Sequence, residues 1–158
     1  MSVQVGDRIP SLTLQVMGVS GPEAVTTESL FGGKRVVMFA VPGAFTPGCS
    51  KTHLPGFVVQ ADAIKAKGVD SIICTSVNDA FVMAAWGRDQ NAQGIIMLAD
   101  GNGELATSLG LSKDASAFFM GTRSKRYAMI VNDGVIERLN VDEKGIDLSS
   151  AETTLSAL

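Results

Sequence analysis

The chemistry available to this chain concentrates in Pro42-Gly43-Ala44-Phe45-Thr46-Pro47-Gly48-Cys49, which directly follows the apolar run Val36-Val37-Met38-Phe39-Ala40-Val41. An apolar run that stops at a Pro/Gly-rich turn reads as a buried strand leading into a helix. Cys49 then lies where the first amides of a helix lack partners and the positive end of the helix dipole points. A thiol so placed is expected to be drawn toward thiolate, the form that attacks electrophiles. The bland alternative, a cysteine acting as a small core hydrophobe, fits such a turn poorly. Thr46 suits a helix cap, a role compatible with catalysis.

Four other residues carry chemistry. His53, the sole histidine, comes four residues after Cys49 and can share its helix face. That leaves a Cys–His dyad open, but Leu54-Pro55-Gly56 interrupts the register, and a structural or supporting role is favoured. Cys74 follows Ile72-Ile73 in a run that reads as a buried strand, so packing is its default. To resolve Cys49 as a disulfide it would need a Cα within about 7 Å, whereas strand and sheet spacings put the pair roughly 10–15 Å apart. Arg123 and Arg126 stand at the start of the apolar segment Tyr127–Val131. Either could be a solvated surface charge; a guanidinium beside the thiol would favour the thiolate and donate to a bound oxygen. The methionines read as core filler. Asp62 and Asp70 show no metal-site spacing, so neither a metal nor another cofactor is expected.

The bulk properties narrow the class. A length of 158 residues suits one domain spanning 1–158, and 46% hydrophobic residues suit a substantial core. The net charge is −3 with no basic block, which argues against a nucleic-acid partner. No apolar run is long enough to span a bilayer. The N-terminus lacks a signal-peptide layout, and two cysteines make no disulfide framework, so a cytoplasmic location is expected.

The elements that must position these residues follow from periodicity and turn chemistry. Leu12, Leu14 and Val16 predict an N-terminal strand, Gly18 to Pro22 a turn, Ala24–Thr26 a returning strand, and Thr27–Phe31 a helical turn. Arg35–Val41 is the first central strand. Cys49–Ala66 predicts a helix, with a kink or break near Pro55. Ser71–Ser76 is a second buried strand, and Asn78 or Asp79 caps a helix from Ala80 to about Asn91. Trp86 on that helix packs in the core or at a dimer face. Gly94–Leu98 is a third strand, and Glu104–Leu109 a short helix. Asn132-Asp133-Gly134 joins Tyr127–Val131 and Val135–Leu139 as a hairpin, and a helix over Ser150–Leu158 closes the chain. The crossover from the first to the second central strand makes them parallel, with Cys49 beyond their carboxyl ends, where ligands of open α/β sheets bind.

The pattern Pro42-x-x-x-Thr46-x-x-Cys49, extended by Ser50 and by His53-Leu54-Pro55-Gly56-Phe57, resembles the peroxiredoxin active site, specifically the type II or type-five branch. Ser76-Val77-Asn78-Asp79-Ala80-Phe81-Val82 and Arg123-Ser124-Lys125-Arg126-Tyr127 match that branch in order and spacing. The resemblance implies a thioredoxin-like α/β fold, a central mixed sheet with helices on both faces and an N-terminal β-hairpin extension. It implies a thiol peroxidase in which Cys49 attacks a hydroperoxide and becomes sulfenic acid. Thr46 would offer its hydroxyl to thiolate and peroxide, Pro42 would shield the pocket, and Arg126 would hold the thiolate and the developing charge. Backbone amides around Gly48 would complete the peroxide-binding cradle. Some relatives carry a resolving cysteine near the C-terminus. None follows Cys74 here, which favours recycling by glutathione or glutaredoxin, with thioredoxin as the other thiol reductant. A homodimer is also implied, and its contact is expected around the Phe45 loop and the Asp79–Phe81 helix start. Two other activities compete: a thioredoxin-like disulfide oxidoreductase, disfavoured by the lack of Cys-x-x-Cys, and a peroxide sensor or holdase using the same cysteine.

Overall fold

Period-two alternation in the strands sorts the apolar residues onto two faces of one sheet, and helices cover both. The computed structural model describes residues 2–158. β1 (Thr13–Gly18) and β2 (Gly21–Thr26) pair antiparallel with Gly18 opposite Gly21. The short helix α1 (Thr27–Phe31) follows, capped by the Thr26 hydroxyl, which accepts from the Ser29 amide. β3 (Arg35–Ala40), β4 (Ser71–Ser76) and β5 (Ile96–Ala99) form the parallel centre. Residues Val36 to Val41 are all 0% exposed, which accounts for their unbroken apolar character.

A π-helical turn (Cys49–His53) and α2 (Leu54–Lys65) carry the chain from β3 to β4, and α3 (Ala80–Asp89) carries it to β5. α4 (Glu104–Ser108) and a separate two-stranded sheet, β6 (Ser112–Asp114) with β7 (Thr122–Ser124), lead to β8 (Arg126–Asn132) and β9 (Val135–Asp142). α5 (Ala151–Ser156) ends the fold, capped by the Ser150 hydroxyl, which accepts from the Thr153 amide. The main sheet runs β2-β1-β5-β4-β3-β8-β9, with the N-terminal hairpin joined through the Gln15–Ala99 pairing. This is the mixed thioredoxin-like sheet the sequence implies.

On one face Phe57, Ile64, Met83, Trp86 and Ala151 pack over Val37, Phe39, Ile72 and Cys74. On the other, Leu30, Phe31, Leu105 and Leu109 pack over Val36, Met38, Ile73 and Tyr127. β8 is antiparallel to β3 with Tyr127 opposite Ala40, so its first residue, Arg126, returns to the edge from which the Cys49 loop departs. The hairpin after β8 turns at Asp133-Gly134, both at positive φ (+47° and +78°), the conformation that this residue pair favours.

Several details differ from the sequence reading. The expected helix over Cys49–Ala66 is a π turn followed by α2, with the irregularity upstream of Pro55: the Leu54 amide reaches back to the Cys49 carbonyl. Pro55 offers no amide, and its ring would strike the Lys51 carbonyl in a regular α-helix. The wider turn relieves both. Asp79, and not Asn78, caps α3, its Oδ1 accepting from the Val82 amide at 2.8 Å. The third strand runs Ile96–Ala99 instead of Gly94–Leu98. β6 and β7, three residues each, carry too little periodicity to be read in advance. Trp86 is 0% exposed and belongs to the core, not to an open dimer face.

Phe57 stacks on Phe39 with ring centroids 3.9 Å apart, joining α2 to β3 immediately below the loop. Phe57→Ala is expected to cost about 3–5 kcal/mol, the usual range for an emptied aromatic core site. Urea unfolding would show this as a lower midpoint with an unchanged m value.

Candidate active site

Cys49 opens the π turn and is 1% exposed. Pro47 supplies no amide, and the Gly48 and Cys49 amides fall in the first helical turn, where intrahelical acceptors are missing. The sulfur is not left alone: Arg126 Nη2 donates to Cys49 Sγ at 3.3 Å. The other terminal nitrogen, Nη1, bonds to His53 Nδ1 at 2.8 Å. One guanidinium therefore spans the sulfur and the imidazole.

The partners of His53 define its proton. Its Nε2 lies 2.9 Å from the Ser149 carbonyl, which can only accept, so Nε2 carries the hydrogen and Nδ1 accepts from Arg126. The ring is 1% exposed and packs against Phe39 and Phe57. Burial pushes its pKa down to about 4; the Arg126 charge works in the same sense, against the opposing pull of the Ser149 carbonyl and Asp142. His53 is thus a neutral prop for Arg126 and no general base for the thiol. The dyad left open by the sequence is not formed, and the supporting role is.

Ser149 is placed by Asp142. The carboxylate at the end of β9 accepts from the Asp147, Leu148 and Ser149 amides and from the Ser149 hydroxyl, at 2.7 to 3.1 Å. Burial raises the carboxyl pKa, but those bonds outweigh it and hold the group below the ordinary carboxylate range. Asp142 and Ser149 carry no sequence signal, since both act through the fold on a histidine remote in the chain.

The loop ahead of Cys49 has its own supports. The Thr46 hydroxyl donates to the Gly43 carbonyl at 2.6 Å, and the Thr46 carbonyl accepts from the Ser50 amide at 2.9 Å. With its hydrogen spent, the hydroxyl keeps lone pairs free to accept from a ligand. The side chain is no helix cap in the usual sense, because it accepts from no amide of the following turn. Pro42 and Arg126 line one cavity of about 330 Å³ together with Lys113, Lys125 and Lys144. A Cβ at Gly48 would lie 3.6 Å from Arg126 Nη2, an ordinary contact. Cys49, Arg126, Pro42 and Gly48 are thus gathered at one sheet edge, with Thr46 in the adjoining loop.

Two candidates lie apart from the sulfur. Arg123 donates to the Met120 and Val77 carbonyls at 2.8 and 2.7 Å, so it is neither a solvated surface charge nor a ligand of the thiol. Cys74 is 0% exposed within β4, beneath α2 and α3. Burial pushes its thiol pKa up, and Cys49 nearby adds to this, so Cys74 is held protonated. Both cysteines are free thiols. Among the described residues no group of three His, Cys, Asp or Glu side chains is arranged to hold a metal ion, and no helix is long and apolar enough to cross a membrane.

Known proteins align with this architecture along nearly its whole length. A family model described as Redoxin matches residues 4–155. Peroxiredoxin-2E, chloroplastic, of Arabidopsis thaliana is 47% identical, over 99% of this chain and 70% of that protein. Peroxiredoxin sll1621 of Synechocystis is 42% identical, over 96% of this chain and 89% of its own. The crystal structure of reduced Prx3 from Vibrio vulnificus in complex with hydrogen peroxide superposes with a TM-score of 0.95 at 52% identity, covering 98% of both chains.

The sign of the His53 effect is testable. Unfolded chains protonate histidine near pH 6.5, whereas the folded imidazole resists until about pH 4. Its contribution to stability is therefore complete above about pH 6.5 and is lost as pH falls toward 4. Proton NMR should show the single imidazole titrating near pH 4 in the folded protein; a midpoint near 6.5 would contradict the buried neutral ring.

Proposed function

This chain belongs to the redoxin family as a peroxiredoxin, a thiol-dependent peroxidase, and from that premise we propose that Cys49 is the peroxidatic cysteine of a type-five (type II) enzyme acting on hydrogen peroxide and small organic hydroperoxides. The observation that carries the assignment is the Arg126 Nη2 contact with Cys49 Sγ at 3.3 Å, braced from behind by His53. The thiolate attacks the terminal peroxide oxygen, an S–O bond forms, and the O–O bond breaks. The leaving oxygen takes up a proton and departs as water or an alcohol, and Cys49 is left as sulfenic acid. Arg126 donates to the charge spread over sulfur and oxygen, Thr46 accepts from the peroxide, and Pro42 keeps bulk water off the sulfur. The amides of Gly48 and Cys49 complete the cradle. The relative crystallised with hydrogen peroxide, at 52% identity, supports this substrate class.

Recycling uses an external thiol: glutathione with glutaredoxin, or thioredoxin as the second candidate. Cys74 is fully buried and held protonated, and no other cysteine exists to resolve the sulfenic acid. The thiol attacks the sulfenyl sulfur, water leaves, and a second thiol releases Cys49 and a disulfide. No metal or organic cofactor enters the cycle. Two free thiols suit a reducing compartment such as the cytoplasm, although some relatives are named as chloroplastic.

Cys49→Ser should abolish rapid thiol consumption by substoichiometric peroxide, and Arg126→Met should slow it about 10²–10³-fold, the usual cost of one preplaced donor. Mass spectrometry after one equivalent of peroxide with glutathione should find the adduct on Cys49. Peroxide consumption persisting in Cys49→Ser would remove the assignment, and a Cys49–Cys74 bridge would replace the external cycle by an internal one.

The functional unit is a homodimer in this reading. Phe45, Phe81, Phe118 and Phe119 are 52%, 66%, 72% and 99% exposed, an unusual outlay of aromatic surface. The Phe45 loop and the start of α3 form the contact. Sedimentation at micromolar concentration should give a dimer; monomer alone would refute it.

A further inference from the structure

We infer that Asn78 and Arg123 are positioning residues that aim the Thr46 hydroxyl, acting through a single peptide unit of the Cys49 loop. The inference rests on the Thr46 role proposed above. Asn78 stands next to the residue that caps α3 yet takes no part in the cap. Its Oδ1 accepts instead from the Ala44 amide at 3.0 Å and from the Ser76 hydroxyl at 2.7 Å. The Ala44 amide and the Gly43 carbonyl belong to the same planar peptide group. That carbonyl is the one the Thr46 hydroxyl donates to, at 2.6 Å. Because the plane is rigid, holding its N–H end fixes the direction of its C=O end. Asn78 thereby sets the acceptor that orients Thr46, without bonding to either Thr46 or Cys49.

Arg123 ties this support to a second one. A Cβ at Gly43 would lie 3.0 Å from the Met120 terminal methyl and 3.1 Å from the Thr46 methyl, so those two side chains close over the open side of Gly43 and leave no room for a side chain there. Arg123 Nη1 donates to the Val77 carbonyl, adjacent to Asn78, at 2.7 Å, and its Nε donates to the Met120 carbonyl at 2.8 Å. One planar fork thus holds both segments that touch the peptide. Lysine cannot reproduce it, because an ammonium lacks the fixed pair of donors.

The test is the second-order rate of Cys49 oxidation by hydrogen peroxide, followed by stopped-flow fluorescence of Trp86, the sole tryptophan, whose indole donates to Ser50 beside Cys49 at 2.9 Å. Asn78→Ala should slow the reaction about tenfold or more, equivalent to about 1.4 kcal/mol in the barrier. The midpoint of the ultraviolet thiolate titration should stay at its wild-type value, since the sulfur keeps Arg126. Asn78→Asp, measured where the thiol is fully ionised, should recover most of the rate, because a carboxylate oxygen accepts from the same two donors. Combining Asn78→Ala with Thr46→Val should cost little beyond Thr46→Val alone, as expected of residues acting as one unit. Arg123→Lys is judged by the same criteria and serves where Asn78→Ala fails to fold. A wild-type rate in the folded Asn78→Ala variant, a thiolate midpoint that moves with the rate, or independent multiplication in the double variant would overturn the inference. A wild-type rate in Thr46→Val would instead remove the reading beneath it.

Discussion

The geometry of the site depends on one cation shared between two acceptors. Arg126 gives one nitrogen to the Cys49 sulfur and the other to His53 Nδ1. A guanidinium can be shared in this way only if the imidazole is neutral and presents its bare nitrogen. Burial ensures the first condition, and the Ser149 carbonyl ensures the second by claiming the hydrogen on Nε2. Ser149 is itself fixed by the Asp142 carboxylate, which gathers four donors from the 147–149 turn. Polar groups from β9 and the following turn thus aim a side chain from β8 at a sulfur in the turn that follows β3.

Preplaced donors matter more for a peroxidase than the ionisation of its thiol. Lowering a thiol pKa from about 8.5 to about 6 raises the thiolate fraction at neutral pH roughly 30-fold. The accompanying loss of nucleophilicity, at a Brønsted slope of about 0.4–0.5, takes back roughly tenfold. The few-fold remainder cannot make a fast enzyme. Stabilising the stretched O–O bond can, and this requires donors and acceptors that need no reorganisation as charge develops. In the proposed cycle they come from separate supports: Arg126 on a sheet edge, bonded to the sulfur, would serve the attacked oxygen, and the Thr46 loop would serve the peroxide. β3 itself, buried on both faces, has no room for polar chemistry. The reactive groups sit where it ends.

Where an element is governed by local chemistry, the sequence reading and the structure agree. β3 and β4 are apolar runs bounded by turns, and the Asp133-Gly134 turn has a residue pair suited to two positive φ values. β8 lies antiparallel to β3, which brings Arg126 back beside the Cys49 loop; that juxtaposition followed from the thioredoxin-like fold that the resemblance implies, not from local sequence. The reading is weaker where two residues compete for one role. Asn78 and Asp79 are equally good caps by type, and only the loop above β4 decides that Asp79 caps while Asn78 bonds to Ala44. Arg123 and Arg126 differ by three positions, and the small β6–β7 sheet turns the first toward carbonyls and leaves the second to the thiol.

By itself, then, the amino-acid order determined a buried strand, a Pro/Gly turn and a cysteine at the head of a helix, because periodicity and turn preference act between near neighbours. Tertiary structure alone decided the protonation of His53, the service of Asp142 and Ser149 to it, and the support of the Gly43–Ala44 peptide by Asn78. Those depend on burial and on hydrogen bonds between residues up to 96 positions apart, and no local preference encodes a partner at that distance.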